Sequence, residues 1–273
     1  MNKKIGFIGC GNMAKAMIKG IINSKLIRPE NIYASALSEN TLNNAKDEFN
    51  INTTKDSREV VLRSDIIVIA VKPNIYDIVL DNIKDVIDNK IIVTIAAGKT
   101  IYSIENIIGD DKKIIRTMPN TPALVNEGMS ALCKNKNISD QDLKDVKSIF
   151  DSFGKSEVVD ENLIHAVIGA SGSSPAYVFM FIEAMADSCV SHGMSRDMAY
   201  KFTSQAVMGA AKMVLETNIH PGELKDMVCS PGGTTIEAVK SLEEEGFRKS
   251  IIKAIDNCID KSKKMSNADL SKK

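Results

Sequence analysis

Short, uninterrupted apolar runs alternate with stretches of helical period through the first 160 or so residues. Ile66-Ile67-Val68-Ile69 is too short for a helix and too continuous for a half-exposed strand. It reads as a strand buried on both faces. Further strands are expected at 4–9, 31–34, 91–95 and 114–118, with a short one near 52–53. Apolar positions at helical spacing predict helices over 14–23, 41–49, 56–63 and 75–87. Two more strands, 130–133 and 156–159, flank a helix over 140–152. Such alternation gives a parallel sheet with helices on both faces.

Near residue 160 the strand signal stops. Helical patterns then run over 163–168, 175–192, 196–216, 222–228, 236–242 and 246–263. The switch marks a boundary between an α/β domain, 1–161, and an all-α domain, 162–273. No Gly/Ser-rich linker joins them, so the domains are expected to pack together. The later helices carry small and flexible apolar residues, among them Ala206, Met208, Gly209, Ala210, Ala211 and Met213. So apolar a bundle, built from so few helices, is expected to share its core with a second subunit. Self-contained packing onto the sheet domain is the alternative. The polar end, 266–273, is expected to fray.

Chemistry enters first at the amino terminus. Gly9-Cys10-Gly11-Asn12-Met13-Ala14 follows the first strand at once and opens a helix. This is G-x-G-x-x-A, the dinucleotide fingerprint with Ala third, and it marks the α/β domain as Rossmann-type. Gly9 permits a tight turn, Gly11 lets backbone approach a pyrophosphate, and Ala14 lets helix and strand pack closely. NAD-favouring folds end the second strand with an acid that binds the ribose 2′-hydroxyl. Ser35 stands there instead, and no Arg or Lys lies in 35–40. Loss of the acid removes repulsion against a 2′-phosphate, so NADPH is expected, with NADH as a usable substitute. Ser35 as a plain polar loop residue is the bland alternative.

Ligands in such sheets bind beyond the carboxyl ends of the strands. Besides the glycine turn, the loops Ala70-Val71-Lys72-Pro73-Asn74 and Ala96-Ala97-Gly98 qualify. Pro73 ends the strand and forces an extended Lys72. Lys72 either assists a phosphate or carboxylate or is a solvated loop lysine. Pro119-Asn120-Thr121-Pro122 is fixed by two prolines, which suits a site wall or a rigid connector.

A second signal lies late in the chain. Ser230-Pro231-Gly232-Gly233-Thr234-Thr235 places two glycines and three hydroxyls at a helix start. Uncapped amides and a positive dipole end suit a carboxylate or phosphate. Plain capping is the alternative, since Thr234 and Glu237 have capping-box spacing.

Composition narrows the field. The 273 residues carry 35 basic and 35 acidic side chains, which argues against a general nucleic-acid surface. No apolar run reaches the ~18 residues a membrane helix needs, and residues 1–4 lead directly into a strand. A soluble, cytoplasmic protein is expected. Five scattered cysteines, with no C-x-x-C pair, suit a reducing compartment. Cys10 and Cys229 read as small buried fillers, with a reactive thiol as the alternative if either is exposed. His165, His192 and His220 are isolated and read as structural, and no metal-ligand spacing is present.

Together these segments resemble the pyrroline-5-carboxylate reductase family over essentially the whole chain. The resemblance is carried by Gly6 to Ala14, Ala70-Val71-Lys72-Pro73, Met118-Pro119-Asn120-Thr121-Pro122, Gly172-Ser173-Ser174-Pro175-Ala176-Tyr177 and the Ser230 to Thr235 run. The chain departs at Ser174, where the family usually has glycine. The added side chain discourages positive φ and would tighten a pocket bordered by that loop.

The resemblance implies hydride transfer from NAD(P)H to the C=N carbon of a cyclic imine, giving L-proline, the last step of proline biosynthesis. It implies no metal. Ser230, Gly232, Gly233 and Thr234 would bind the substrate carboxylate. Thr235 would orient the ring nitrogen or relay a proton. Gly9, Gly11, Asn12 and Met13 would cradle the pyrophosphate, with Ser35 near the adenosine ribose. Val71, Lys72, Pro73, Ala96 and Ala97 would line the nicotinamide side, with Asn120 and Pro122 nearby. The site is expected to form between the domains. Helical domains interlock as homodimers in this family, so a partner chain could complete the pocket and dimers could build a larger homo-oligomer. Two other readings compete. A β-hydroxyacid-type dehydrogenase would use a helical lysine such as Lys201 or Lys212. A non-catalytic NAD(P)-binding regulator would keep the glycine turn without a carboxylate pocket.

Overall fold

The computed structural model describes residues 1–270. It opens with β1 (Ile5–Ile8), α1 (Asn12–Asn23), β2 (Ile32–Ser35), α2 (Glu39–Phe49), β3 (Asn52–Thr54) and α3 (Ser57–Arg63). Then come β4 (Ile66–Ile69), α4 (Pro73–Ile83), β5 (Ile91–Thr94), α5 (Ile101–Ile108), β6 (Lys113–Met118), β7 (Gly128–Lys134), α6 (Asp140–Asp151) and β8 (Gly154–Val158). Thereafter the chain is helical. α7 (Ile164–Val167) widens into a π turn, and α8 (Ser174–Ser191), α9 (Arg196–Thr217), α10 (Pro221–Val228), α11 (Thr234–Glu244) and α12 (Phe247–Leu270) follow.

The strands form one sheet in the order β3-β2-β1-β4-β5-β6-β7-β8. Alternation along β4 feeds both faces: Ile66 and Val68 pack with Phe7, Met17 and Phe150. Ile67 and Ile69 pack with Tyr76, Leu80 and Ile104 on the other side. The expected parallel sheet holds from β3 to β6, but β7 is antiparallel to β6 and carries β8 with it. The cause is chain length. A parallel crossover needs a dozen or more residues, and only residues 119–127 join β6 to β7. The sequence reading also passed over α5. Its signal is brief: Ile101, Ile104 and Ile108 are buried at helical spacing, and Thr100 and Ser103 form a capping box.

Two compact units emerge: Met1–Ser173 with the chain from Cys258 onward, and Ser174–Asn257. The strands do end near the boundary expected at 161/162, yet the compact division comes later. Residues just past 160 are tied to the sheet unit. Glu161 accepts from the buried Arg116 guanidinium at 2.8 Å and from the Ile101 amide at 2.8 Å. His165 Nδ1 lies 2.8 Å from Ser262 Oγ, which brings the end of α12 into the same unit. The tail expected to fray from 266 is helical to Leu270, and 271–273 lie outside the described residues.

In the second unit α8 packs on α9. Large apolar side chains remain exposed on both, including Phe179, Met180, Phe202 and Leu215. The helical stretch Glu161–Ser191, mean hydropathy 1.2, is long and apolar enough by length and composition alone to cross a membrane. This differs from the expectation that no apolar run reaches such a length, because the polar residues scattered along the stretch break it up without lowering its average much.

Candidate active site

Successive strands leave β1 in opposite directions, to β2 and to β4, so the topological switch lies at its carboxyl end. Gly9 stands there with φ +97°, and its amide donates to Ser35 O at 2.9 Å. A Cβ at Gly9 would meet the Ala70 carbonyl oxygen at 2.5 Å, a backbone atom that cannot yield. Gly11, the N-cap of α1, is different: a Cβ there would meet nothing within 4 Å. The first α1 amides, Asn12, Met13 and Ala14, have no intrahelical acceptor, and the first turn carries neither an acid nor a side-chain cap. Open space before uncapped amides fits a pyrophosphate. Ala14 is buried, as close helix–strand packing requires.

A cleft of about 700 Å³ opens at these strand ends. Of the sequence-predicted residues, Gly9, Gly11, Ser35, Val71 and Lys72 line it. Asn12 and Met13 sit at the start of α1 beside it, and Pro73 is the first residue of α4. Lys72 is extended, φ −63° and ψ 147°, as the following proline demands. Ala96 and Ala97 lie past the end of β5, outside that lining. Asn120 is also outside it, and both ends of its amide are engaged. Its nitrogen donates to Ser171 O at 3.1 Å, and its oxygen accepts from the Met129 amide at 2.8 Å. Asn120 therefore clamps the wall loop to Ser171 and Met129.

The cleft also holds residues that the linear reading missed: Thr41, Lys55 and Ser57. The signal was in strand register. β2 and β3 are parallel with Ser35 opposite Thr54, which sets Lys55 beside the loop after β2. Ser35 is buried and its Oγ lies 3.3 Å from Ser57 Oγ. Lys55 donates to Glu39 at 2.5 Å, and that bond holds the Glu39 carboxyl below its usual range.

Thiols and imidazoles contribute little chemistry here. Burial raises the Cys10 thiol and pushes Cys133 up to about 11, so neither is a thiolate at neutral pH. Cys10 is buried as expected, whereas Cys229 is only half-buried. His220 caps α10 by accepting from the Gly222 amide at 3.1 Å. Burial, then the Arg116 and Lys263 charges, lower His165. Among the described residues no group of three or more His, Cys, Asp or Glu could hold a metal.

In the second unit, Ser230-Pro231-Gly232-Gly233 forms a β-turn in which the Gly233 amide donates to Ser230 O at 3.0 Å. Pro231 presets the second position, and Gly232 takes φ +66° at the third. A Cβ on Gly233 would fall 2.4 Å from Ser230 Oγ, so the hydroxyl lies folded against this glycine. Gly233 is the N-cap of α11, with no side-chain cap bond. The alternative capping box from Thr234 to Glu237 therefore does not form: Thr234 is the first helical residue, not the cap. Thr235 is half-buried, and Ser230 and Thr234 are exposed. This leaves three hydroxyls around a helix start without a side-chain cap. Ser174 opens α8 in helical backbone, so no positive φ is required of it.

Residues 161–265 match the family model described as pyrroline-5-carboxylate reductase dimerisation, and residues 4–98 match that described as NADP oxidoreductase coenzyme F420-dependent. A pyrroline-5-carboxylate reductase of Escherichia coli is 54% identical, covering 98% of this chain and 100% of its own. A crystal structure of Plasmodium falciparum pyrroline carboxylate reductase with NADP bound is 36% identical, with a TM-score of 0.88 over 97% of this chain and 98% of the other. The Coxiella burnetii pyrroline-5-carboxylate reductase reaches a TM-score of 0.91 at 34% identity, covering 97% and 99%. A glycine turn at the sheet's switch point, a hydroxyl-rich start to a late helix and this near-full-length identity agree: the chain belongs to the pyrroline-5-carboxylate reductase family.

Proposed function

We propose that this chain reduces the C=N bond of 1-pyrroline-5-carboxylate to give L-proline, the last step of proline biosynthesis, preferring NADPH and accepting NADH. The observation that carries the reading is the 54% identity, over 98% of the chain, to a protein named for that reaction. The NADP in the Plasmodium falciparum relative supports a nicotinamide nucleotide. When bound, the reduced nicotinamide supplies a hydride.

The chain's own residues bind and orient. Ser230, Gly232, Gly233 and Thr234 hold the ring's carboxylate through hydroxyl and backbone N–H groups at the start of α11. Half-buried Thr235, one residue into the helix, holds the ring nitrogen in place or passes it a proton. The Gly9 turn and the Asn12 and Met13 amides hold the pyrophosphate. Ser35 serves the adenosine ribose, and Val71, Lys72, Pro73, Ala96 and Ala97 serve the nicotinamide side. Asn120 shapes the wall loop through its two internal bonds. A protonated ring C=N is already strongly electrophilic, so holding two reactants in register is the main task. Such register is worth up to ~7–11 kcal/mol in favourable cases.

The exposed apolar faces of α8 and α9, within the segment matching a dimerisation model, support a homodimer through the helical unit. The same match favours a subunit contact over a membrane as the destination of the apolar stretch Glu161–Ser191. Five free thiols suit the reducing cytoplasm. The helical lysines that a β-hydroxyacid-type dehydrogenase would need, Lys201 and Lys212, are exposed on α9, and Lys212 pairs with Glu216 at 3.6 Å.

The test is direct. Pyrroline-5-carboxylate and NADPH are mixed with the protein and nicotinamide absorbance is followed. Absorbance should fall and L-proline should accumulate in equal amount. Binding of NADPH without turnover would instead favour a regulatory protein.

A further inference from the structure

We infer that Lys55 reads the 2′-phosphate of the phosphorylated dinucleotide and so sets the cofactor preference of this chain; the inference rests on the reductase reading above. Parallel register places Ser35 opposite Thr54, so Lys55 leaves β3 alongside the loop that follows β2. In this class of sheet the end of β2 is where the adenosine ribose is recognised. Ser35, Ser38, Thr41, Lys55 and Ser57 all face the cleft there. Among the described residues lining the cleft there is no Asp or Glu. The other lysine in the lining, Lys72, follows β4, three strands across from β3. At a spacing of about 4.8 Å per strand, the two lysines leave the sheet roughly 14 Å apart. One ammonium thus serves each end of a dinucleotide, and Lys55 is the one at the ribose end.

The neighbouring charges leave Lys55 available. Its present partner is Glu39, at 2.5 Å, which is not part of the cleft lining and is 74% exposed. An exposed ion pair of this kind contributes little. A phosphomonoester carries close to two negative charges at neutral pH against the carboxylate's one, so it displaces Glu39. Asp56 is engaged as the α3 cap, accepting from the Arg58 amide at 2.8 Å. The Arg58 guanidinium is committed to Asp85 by bonds of 2.6 and 2.7 Å. The hydroxyls of Ser35 and Ser57, 3.3 Å apart, are short polar groups lining the same cleft as Lys55.

Titration calorimetry with NADP+ and NAD+ tests this on wild type, Lys55→Met and Lys55→Arg. Lys55 is 58% exposed, so the variants keep the fold. Lys55→Met should weaken NADP+ by about tenfold or more and change NAD+ by no more than about twofold, as loss of one charge-assisted contact requires. Lys55→Arg should keep most of the NADP+ affinity. Added salt should weaken NADP+ more steeply in wild type than in Lys55→Met. An unchanged ratio of the two dissociation constants in Lys55→Met, with NADP+ still bound, overturns the inference and leaves the reductase reading intact. Failure of the wild type to bind either dinucleotide overturns both.

Discussion

At the scale of single residues, the arrangement is one of positions rather than reactive groups. The buried thiols are raised and His220 is spent as a helix cap. In the proposed reading, the half-buried Thr235, one residue into α11, is the hydroxyl that orients the ring nitrogen. Its removal should act on the chemical step. Thr235→Ala should lower kcat by roughly 10- to 100-fold, the range of a lost hydrogen bond or proton relay. The dissociation constant for NADP+ should stay put, and Thr235→Ser should restore most of the rate. Steady-state kinetics beside calorimetry check this, and an unchanged kcat in Thr235→Ala removes the residue from the mechanism. The sequence made Thr235 visible because it adjoins a glycine pair. It could not make Lys55 visible, since that residue reaches the site only through the pairing of β2 with β3. Asn120 sits in the loop that two prolines suit to a site wall or a rigid connector, and its amide ties that loop to Ser171 O and the Met129 amide.

At the scale of elements, periodicity was informative wherever an element was long or fully buried. The runs at β4 and β5 and the amphipathic pattern of α6 appear close to where they were expected. Short elements were not legible: α5 spans eight residues, too few for its period to stand out. Strand direction was not legible either, because it depends on connection length, and residues 119–127 are too few for a parallel return. The helices α8 and α9 carry their own message. In α8 only Ala186 is buried, and Phe179, Met180, Phe202 and Leu215 stand open on the pair. A single chain does not leave so much apolar surface in water without a partner. Sedimentation should therefore show at least twice the 29.8 kDa chain mass. Phe202→Asp should shift the population toward monomer and make thermal stability depend strongly on protein concentration. A wild-type protein that sediments as a monomer at micromolar concentration would contradict the shared core.

At the scale of the whole molecule, the two proposed binding surfaces share one device on separate compact units. Each is a glycine turn that feeds a helix with no side-chain cap, at Gly9 to Asn12 and at Gly232 to Thr234. Both turns were legible from their glycines: Gly9 takes φ +97° where a Cβ would strike the Ala70 carbonyl, and Gly232 takes φ +66°, a region glycine favours. The extent of the units was less so, since the later half of α12 joins the sheet unit through Ser262, far along the chain from its partner His165. In the proposed reading, the surface at α11 decides what the protein acts on. The most direct measurement is the ratio of kcat/KM for 1-pyrroline-5-carboxylate to that for 1-pyrroline, the same ring without its acid. Grip by the α11 start predicts a ratio on the order of 100 or more, as expected when charge-assisted bonds to a carboxylate are lost. Equal efficiencies with the two rings would contradict it.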